Sequence, residues 1–298
     1  MKLFSIGLQE EFDIVQANLQ NDCDKLKSQG FLIKIDVIQS ESYTFLECHV
    51  IQGEMSFRNY EKVKNIIKRY VAKHLFCYII ECKTKSLINQ HVMKKYQYLN
   101  EEEKQAVYKH SLRLIKENDC DQQWNDMKTD MQNKLLYYLE ENQNIVVDGF
   151  INFRLPSYQI YLAEIMDKAL DLYMMEIEYQ EFIQVLRYFV KMNTEQALTI
   201  QVIMKGTGPY LLLDETGALL HYQYVDVVDR RTADDYAELL ISTLINIAPQ
   251  KIIVRNVNGD INHHTLIKTL KNIFQDRIYI LTEDKMDNIS IHLDSDLL

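Results

Sequence analysis

Apolar residues recur along the chain in two rhythms, and their alternation divides it into three regions. The first, residues 1–56, mixes both. Residues 2–8 form a short apolar run that reads as a strand, and residues 9–28 carry Phe12, Val15, Leu19 and Leu26 at helical spacing before the helix stop Gly30. Residues 31–38 and 43–51 alternate with period two across 39–42, which predicts a hairpin. The second region, 57–195, is dominated by the helical period. Helices are expected over 57 to about 90, 101–116 and 121–141, with Asn100 before three glutamates as an N-cap. Residues 144–155, with Gly149 inside, turn β-like. Pro156 then opens a helix to about Met192, with apolar residues nearly all round it. That pattern predicts a central, buried helix. Its ~35 residues would span ~50 Å, so a bend or break is expected.

The third region, 196–298, changes rhythm again. Residues 198–204, 210–213 and 218–225 read as three strands, the last two joined by the turn Asp214-Glu215-Thr216-Gly217. Thr232 with Asp235 three residues on makes a capping-box start for a helix over 233–248, which Pro249 stops. A strand at 251–257, a helix at 263–274, a strand at 277–281 and a further strand at 289–293 complete it. The expected fold class is α+β: a small N-terminal α+β unit, a helical middle built on one long helix, and a C-terminal three-strand meander followed by alternating α/β.

Composition narrows the class of protein. The 298 residues are 47% hydrophobic with only 8 Gly and 3 Pro, which excludes wholesale disorder and suggests long regular elements. The longest apolar stretch without a charge, residues 239–250, is well short of the ~20 residues a spanning helix needs. Glu10 and Glu11 interrupt the start before a signal-type apolar region can develop. Five cysteines, an odd number without a CxxC pair, fit reduced thiols. The expectation is a cytoplasmic protein with no membrane association.

Charge changes the picture more. The net charge of -10 belongs wholly to residues 141–298; residues 1–140 hold 20 basic and 20 acidic side chains. Within that neutral half, residues 58–95 hold ten basic residues against Glu61 and Glu81 alone. On a helical wheel Arg58, Lys62, Arg69 and Lys73 fall within ~60° of each other, opposite Val63, Ile66, Ile67, Tyr70, Cys77 and Tyr78. Such a ridge suits a phosphate, RNA or an acidic protein partner. The competing reading is a solvated face, or one docked against the chain's own acidic half.

Catalytic patterns are sparse. His74 falls on the apolar side of the same helix, where a buried neutral imidazole with one partner is the expectation. His263 and His264 diverge by ~100° and match no zinc spacing. Glu164, Asp167, Asp171 and Glu178 share a stripe of the long helix but lack the histidines of a dimetal site, so a solvated or partner-facing stripe is expected. Lys205-Gly206-Thr207-Gly208-Pro209 leads into a strand rather than a helix and reads as a turn. Asp226 and Asp229, beside Arg230 and Arg231, are the one place where strand-end carboxylates would hold a metal, the rival, enzymatic reading. The strand order there suggests a ribonuclease-H-like nuclease, but the first strand, Thr199-Ile200-Gln201-Val202-Ile203, lacks the carboxylate such an enzyme needs.

One segment is distinctive as a set. Gly149-Phe150-Ile151-Asn152-Phe153-Arg154-Leu155, Ile165 to Asp171, Glu178 to Ile183, Leu186 to Val190 and Ile245 to Ile253 together resemble the YtxC-like family of putative sporulation proteins, most strongly over residues 149–255. The resemblance implies a cytoplasmic protein of sporulating cells with no assigned reaction. Read as a strand, the segment places Arg154 on the face of Phe150, where it would either bind an anion or bridge to Glu178 or Glu181, the bridge being favoured. The sequence therefore points to a non-enzymatic interaction or regulatory protein with an unidentified protein partner. Arg58, Lys62, Arg69, Lys73 and Arg154 are its candidate contacts. No cofactor is implied. RNA or another phosphate-bearing ligand is the alternative.

Overall fold

The computed structural model describes residues 2–27, 30–52, 57–118, 121–193, 196–205, 210–220, 232–257 and 263–281. The chain forms two compact units, Met1–Met175 and Glu176–Leu298, each with its own hydrophobic core.

The first unit opens with strand β1 (Lys2–Leu8), helix α1 (Phe12–Lys27) and the hairpin β2 (Leu32–Gln39) and β3 (Thr44–Gln52). With a short strand β4 (Asn144–Val146) they make one sheet in the order β2-β3-β1-β4, antiparallel except that β4 runs parallel to β1. β1 lies inside the sheet and is buried from Leu3 to Leu8, which explains why its apolar residues occupy both faces. Gly7 sits between Phe45 of β3 and Val146 of β4, and a Cβ there would lie 2.8 Å from the Phe45 ring. Gly30 ends α1 as expected, with φ +86° and its N–H bonded to the Lys27 carbonyl.

Helices fill the rest of this unit: α2 (Phe57–Tyr78), α3 (Thr84–Lys95), α4 (Glu101–Glu117), α5 (Gln122–Glu141), α6 (Val147–Arg154) and the start of α7 (Pro156–Met192). A five-residue π turn, Ile79–Lys83, joins α2 to α3, so the helical run expected over 57–90 is met by two helices and a wider turn. The Thr84 N–H and Oγ1 both donate to the Ile79 carbonyl, and Oγ1 also lies 2.6 Å from the buried Tyr158 hydroxyl. Asn100 caps α4 in a full capping box with Glu103.

Two expectations for the middle of the chain are corrected. Residues 147–154 are helix, not strand; only Asn144–Val146 pairs in the sheet. The buried residues Val147, Phe150, Ile151 and Leu155 recur at helical spacing, and that period outweighs the β propensity of the individual Val, Ile and Phe. The long helix is a single 37-residue element without the expected break, and it is not buried all round. Tyr158, Leu162, Ile165, Met166 and Ala169 enter the core of the first unit, while Ile160 stays exposed.

In the second unit, strands β5 (Gln196–Lys205), β6 (Leu211–Leu213), β7 (Pro249–Val257) and β8 (Ile278–Leu281) form a sheet in the order β6-β5-β7-β8. β5, β7 and β8 are parallel and β6 is an antiparallel edge. Helices α8 (Ala233–Ile247) and α9 (His263–Phe274) connect the parallel strands, as the alternating pattern predicted. Thr232 and Asp235 form the expected capping box, and Ala248 closes α8 in the left-handed region before Pro249. Of the predicted strand at 218–225, Leu219 pairs with Leu213; residues 221–225 and the strand at 289–293 lie outside the described residues. The fold is α+β, with mixed sheets and long helices.

Candidate functional site

The cationic ridge is where the wheel placed it. Val63, Ile67, Val71 and Leu75 bury the inner face of α2, so the register of the helix is fixed and Lys62, Arg69 and Lys73 must point outward. All three are exposed and, among the described residues, meet no carboxylate. Arg58 lies in the first turn of α2; its side chain is outside the described residues.

Four of the other cations of the 58–95 stretch serve the fold, while Lys85 and Lys94 of α3 are exposed. Lys64 pairs with Glu61 and Lys95 with Asp167. The buried Lys68 donates a 2.9 Å hydrogen bond to the Glu140 carbonyl, one of the open carbonyls at the end of α5, and burial holds its ammonium below the usual lysine range. Lys83, in the π turn, is 3% exposed and lies 2.6 Å from Asp148 in the first turn of α6. This pair anchors α6 to the helical layer, although Asp148 Oδ2 is buried without a partner.

Arg154 is thereby placed at the end of α6 beside α5. Its guanidinium stands over the Tyr138 ring, 5.9 Å from the centroid, a cation–π contact within the first unit. Tyr138 in turn meets Phe150 edge-on at 5.4 Å. These groups and Lys134, Tyr137 and Phe153 line a groove of about 520 Å³. Phe153 is 83% exposed and Tyr137 64%, which leaves two aromatic faces free at its rim. The Tyr137 hydroxyl donates to Glu141, and Lys134 pairs with Asp130.

A second depression, about 240 Å³, lies on the other flank of α5. Arg69, Ala72 and Lys73 of α2 and Gln132 and Leu136 of α5 line it. Leu136 and Tyr137 are sequence neighbours, and both are exposed. The ridge thus lies on one flank of α5 and the groove on the other, with Leu136 and Tyr137 about 100° apart on the exposed face between them. Sequence reading named the cations on both flanks and did not mark the aromatic residues. Their signal was present: Phe150, Phe153 and Arg154 stand at i, i+3 and i+4, the spacing of one helical face.

The remaining candidates separate. Asp226 and Asp229 lie outside the described residues. Among the described residues no group of three or more His, Cys, Asp or Glu is placed to hold a metal ion. Asp167 is exposed and accepts hydrogen bonds from Lys95 and from the Tyr96 hydroxyl, which hold its carboxyl below the usual range. His74 lies 2.8 Å from Asp22. Cys23 and Cys48 are free and buried, and burial pushes both thiols up to about 12. No helix among the described residues is long and apolar enough to cross a membrane.

Comparison with known proteins matches these same elements. The chain is 26% identical over 223 residues to the "Uncharacterized protein YtxC" of Bacillus subtilis (strain 168), an alignment covering 72% of this chain and 77% of that protein. No solved structure matches. The model of the YtxC-like family matches residues 69–279, wider than the 149–255 where the motifs resemble it most, and so includes Arg69, Lys73, α5 and α6 while leaving out Lys62. With nearly three quarters of its length matched by that family model, the chain belongs to the YtxC-like family.

Proposed function

We propose that this protein is a non-enzymatic interaction protein of the cytoplasm, associated with sporulation, that holds an acidic and partly apolar segment of a protein partner. One observation carries the reading. Of the ten cations in residues 58–95, Lys64, Lys68, Lys83 and Lys95 are used internally and Lys85 and Lys94 are scattered on α3, whereas Lys62, Arg69 and Lys73 share one exposed face of α2, without a carboxylate among the described residues, near the apolar and aromatic side chains of α5 and α6. On α2 these three span about 16 Å, the reach of about five residues of extended chain. The middle of the surface offers Leu136, Tyr137 and Phe153 to apolar side chains, and Arg154 offers a charge at its far end. Asp130 and Glu141 at the rim disfavour a continuous phosphate backbone, which supports an acidic peptide over RNA. The sporulation link rests on the family resemblance.

The test is binding of labelled acidic peptides that carry aromatic or aliphatic residues, followed by fluorescence anisotropy, with single-stranded RNA as competitor. Binding should weaken at least tenfold in the Lys62→Ala/Arg69→Ala/Lys73→Ala variant and fall as salt rises. Peptide binding unchanged by the triple substitution removes the ridge from the site. Tight RNA binding, with a steep salt dependence and displacement of the peptide, reassigns the surface to nucleic acid.

A further inference from the structure

The second half of α7 carries two apolar stripes, and the described residues of the second unit build their core on only one. Tyr179, Ile183, Leu186 and Val190 face its core, where Tyr179 also contacts Thr269 and Asn272 and Arg187 bonds the Asn272 carbonyl. Phe182, Val185, Phe189 and Met192 lie about 120° further round at about 100° per residue, with Tyr188 on their flank. All five are half or more exposed. Their spacing, 182-185-189-192, is the alternating three-and-four step of a coiled-coil seam rather than a scatter of surface residues. Contiguous apolar exposure on this scale marks an interaction site.

We infer that this stripe is a self-association seam: two copies of the chain pair antiparallel through Phe182, Val185, Phe189 and Met192. Three observations select a second copy as the occupant. The stripe is self-complementary, because an isologous contact needs only the same a/d pattern on both sides. The available area is adequate: five half-exposed side chains, several aromatic, offer on the order of 500 Å² per copy, and the polar flanks bring this to roughly 600 Å² per partner, the low end of specific interfaces. The charges select the direction. Glu178, at the next seam position, and Glu181, on the flank, are exposed and unpaired among the described residues. A parallel pair would stack all four carboxylates at one end. An antiparallel pair with its twofold axis level with Arg187 sets Phe182 against the partner copy's Met192 and Val185 against its Phe189, and carries the two pairs of carboxylates to opposite ends of the seam.

The inference uses residues separate from the cationic surface, so each can fail alone. The full chain, at concentrations from about 1 to 100 µM in sedimentation equilibrium, should be dimeric, with a melting temperature that rises with protein concentration. Phe182→Glu combined with Phe189→Glu should weaken the dimer by more than about 100-fold, with far-ultraviolet circular dichroism unchanged because both positions are exposed. A wild-type chain monomeric throughout, or a dimer that survives the double substitution, overturns the proposal. Tightening of the dimer by Glu178→Ala points to a parallel pair and overturns the antiparallel arrangement.

Discussion

His74 shows how a single residue's environment decides its role. The sequence placed it on the apolar side of α2 with one partner, and that partner is Asp22 of α1, itself buried and also bonded by Lys25. Burial alone would raise the Asp22 carboxyl, but hydrogen bonds from Lys25 and His74 outweigh it and hold the group below the ordinary carboxylate value. A carboxyl lowered in the folded state adds stability that is fully present above its unfolded value, about 4, and is lost as pH falls through its folded value. Asp22→Asn should therefore cost about 2 kcal/mol at pH 7 in urea unfolding. The gap to wild type should shrink below about pH 4. A gap that is constant from pH 7 to pH 3 would show that the charge is not what matters there.

At the scale of elements, legibility followed the period of the pattern. The hairpin, α4, α5 and the C-terminal αβ alternation each have one apolar face, and one face is what a periodic sequence reports. α6 was misread because its eight residues are rich in Val, Ile and Phe, and because residues four apart share a face in both a helix and a strand. Phe150 and Arg154 are therefore neighbours under either reading, and only Phe153 separates the two. α7 was misread for the opposite reason. A helix apolar all round looks buried, but the sequence cannot say whether the second face meets the same chain. The Lys83–Asp148 pair was invisible, since nothing local links a π turn to a helix start more than sixty residues away. Lys83→Met should cost about 3 kcal/mol by stranding Asp148, and Lys83→Met with Asp148→Leu should recover most of it, read by denaturant midpoints. A double variant as unstable as the single would mean that the pair specifies the position of α6 rather than compensating charge.

For the whole molecule, the opposition between a neutral first half and an acidic second half resolves into something more local. Four of the ten cations in residues 58–95 are used inside the first unit, Lys85 and Lys94 are exposed on α3, and Lys62, Arg69 and Lys73 share one stripe of α2. In the proposed reading the aromatic residues extend that stripe to Arg154, which the sequence had flagged without a reason to connect the two. Phe153 tests that connection cleanly. Because it is so exposed, Phe153→Ala should change stability by no more than about 0.5 kcal/mol. It should nevertheless weaken capture of an acidic, aromatic-bearing peptide by about tenfold, measured by the same anisotropy titration. Peptide affinity unchanged in this variant would confine the site to the ridge.

The pairing of β1 with β4 also bears on how the protein is made. Ser5 lies opposite Asn144, so β1 leaves the ribosome roughly 140 residues before its second neighbour exists. At bacterial translation rates of about 5–20 residues per second, that interval is on the order of ten seconds. Throughout it, one edge of an almost wholly apolar strand stands open to other nascent chains or to a chaperone. The β1–β3 hairpin layer and α1 can assemble early, but closure of the sheet, and with it the placement of α6 and Arg154, is a late event in synthesis.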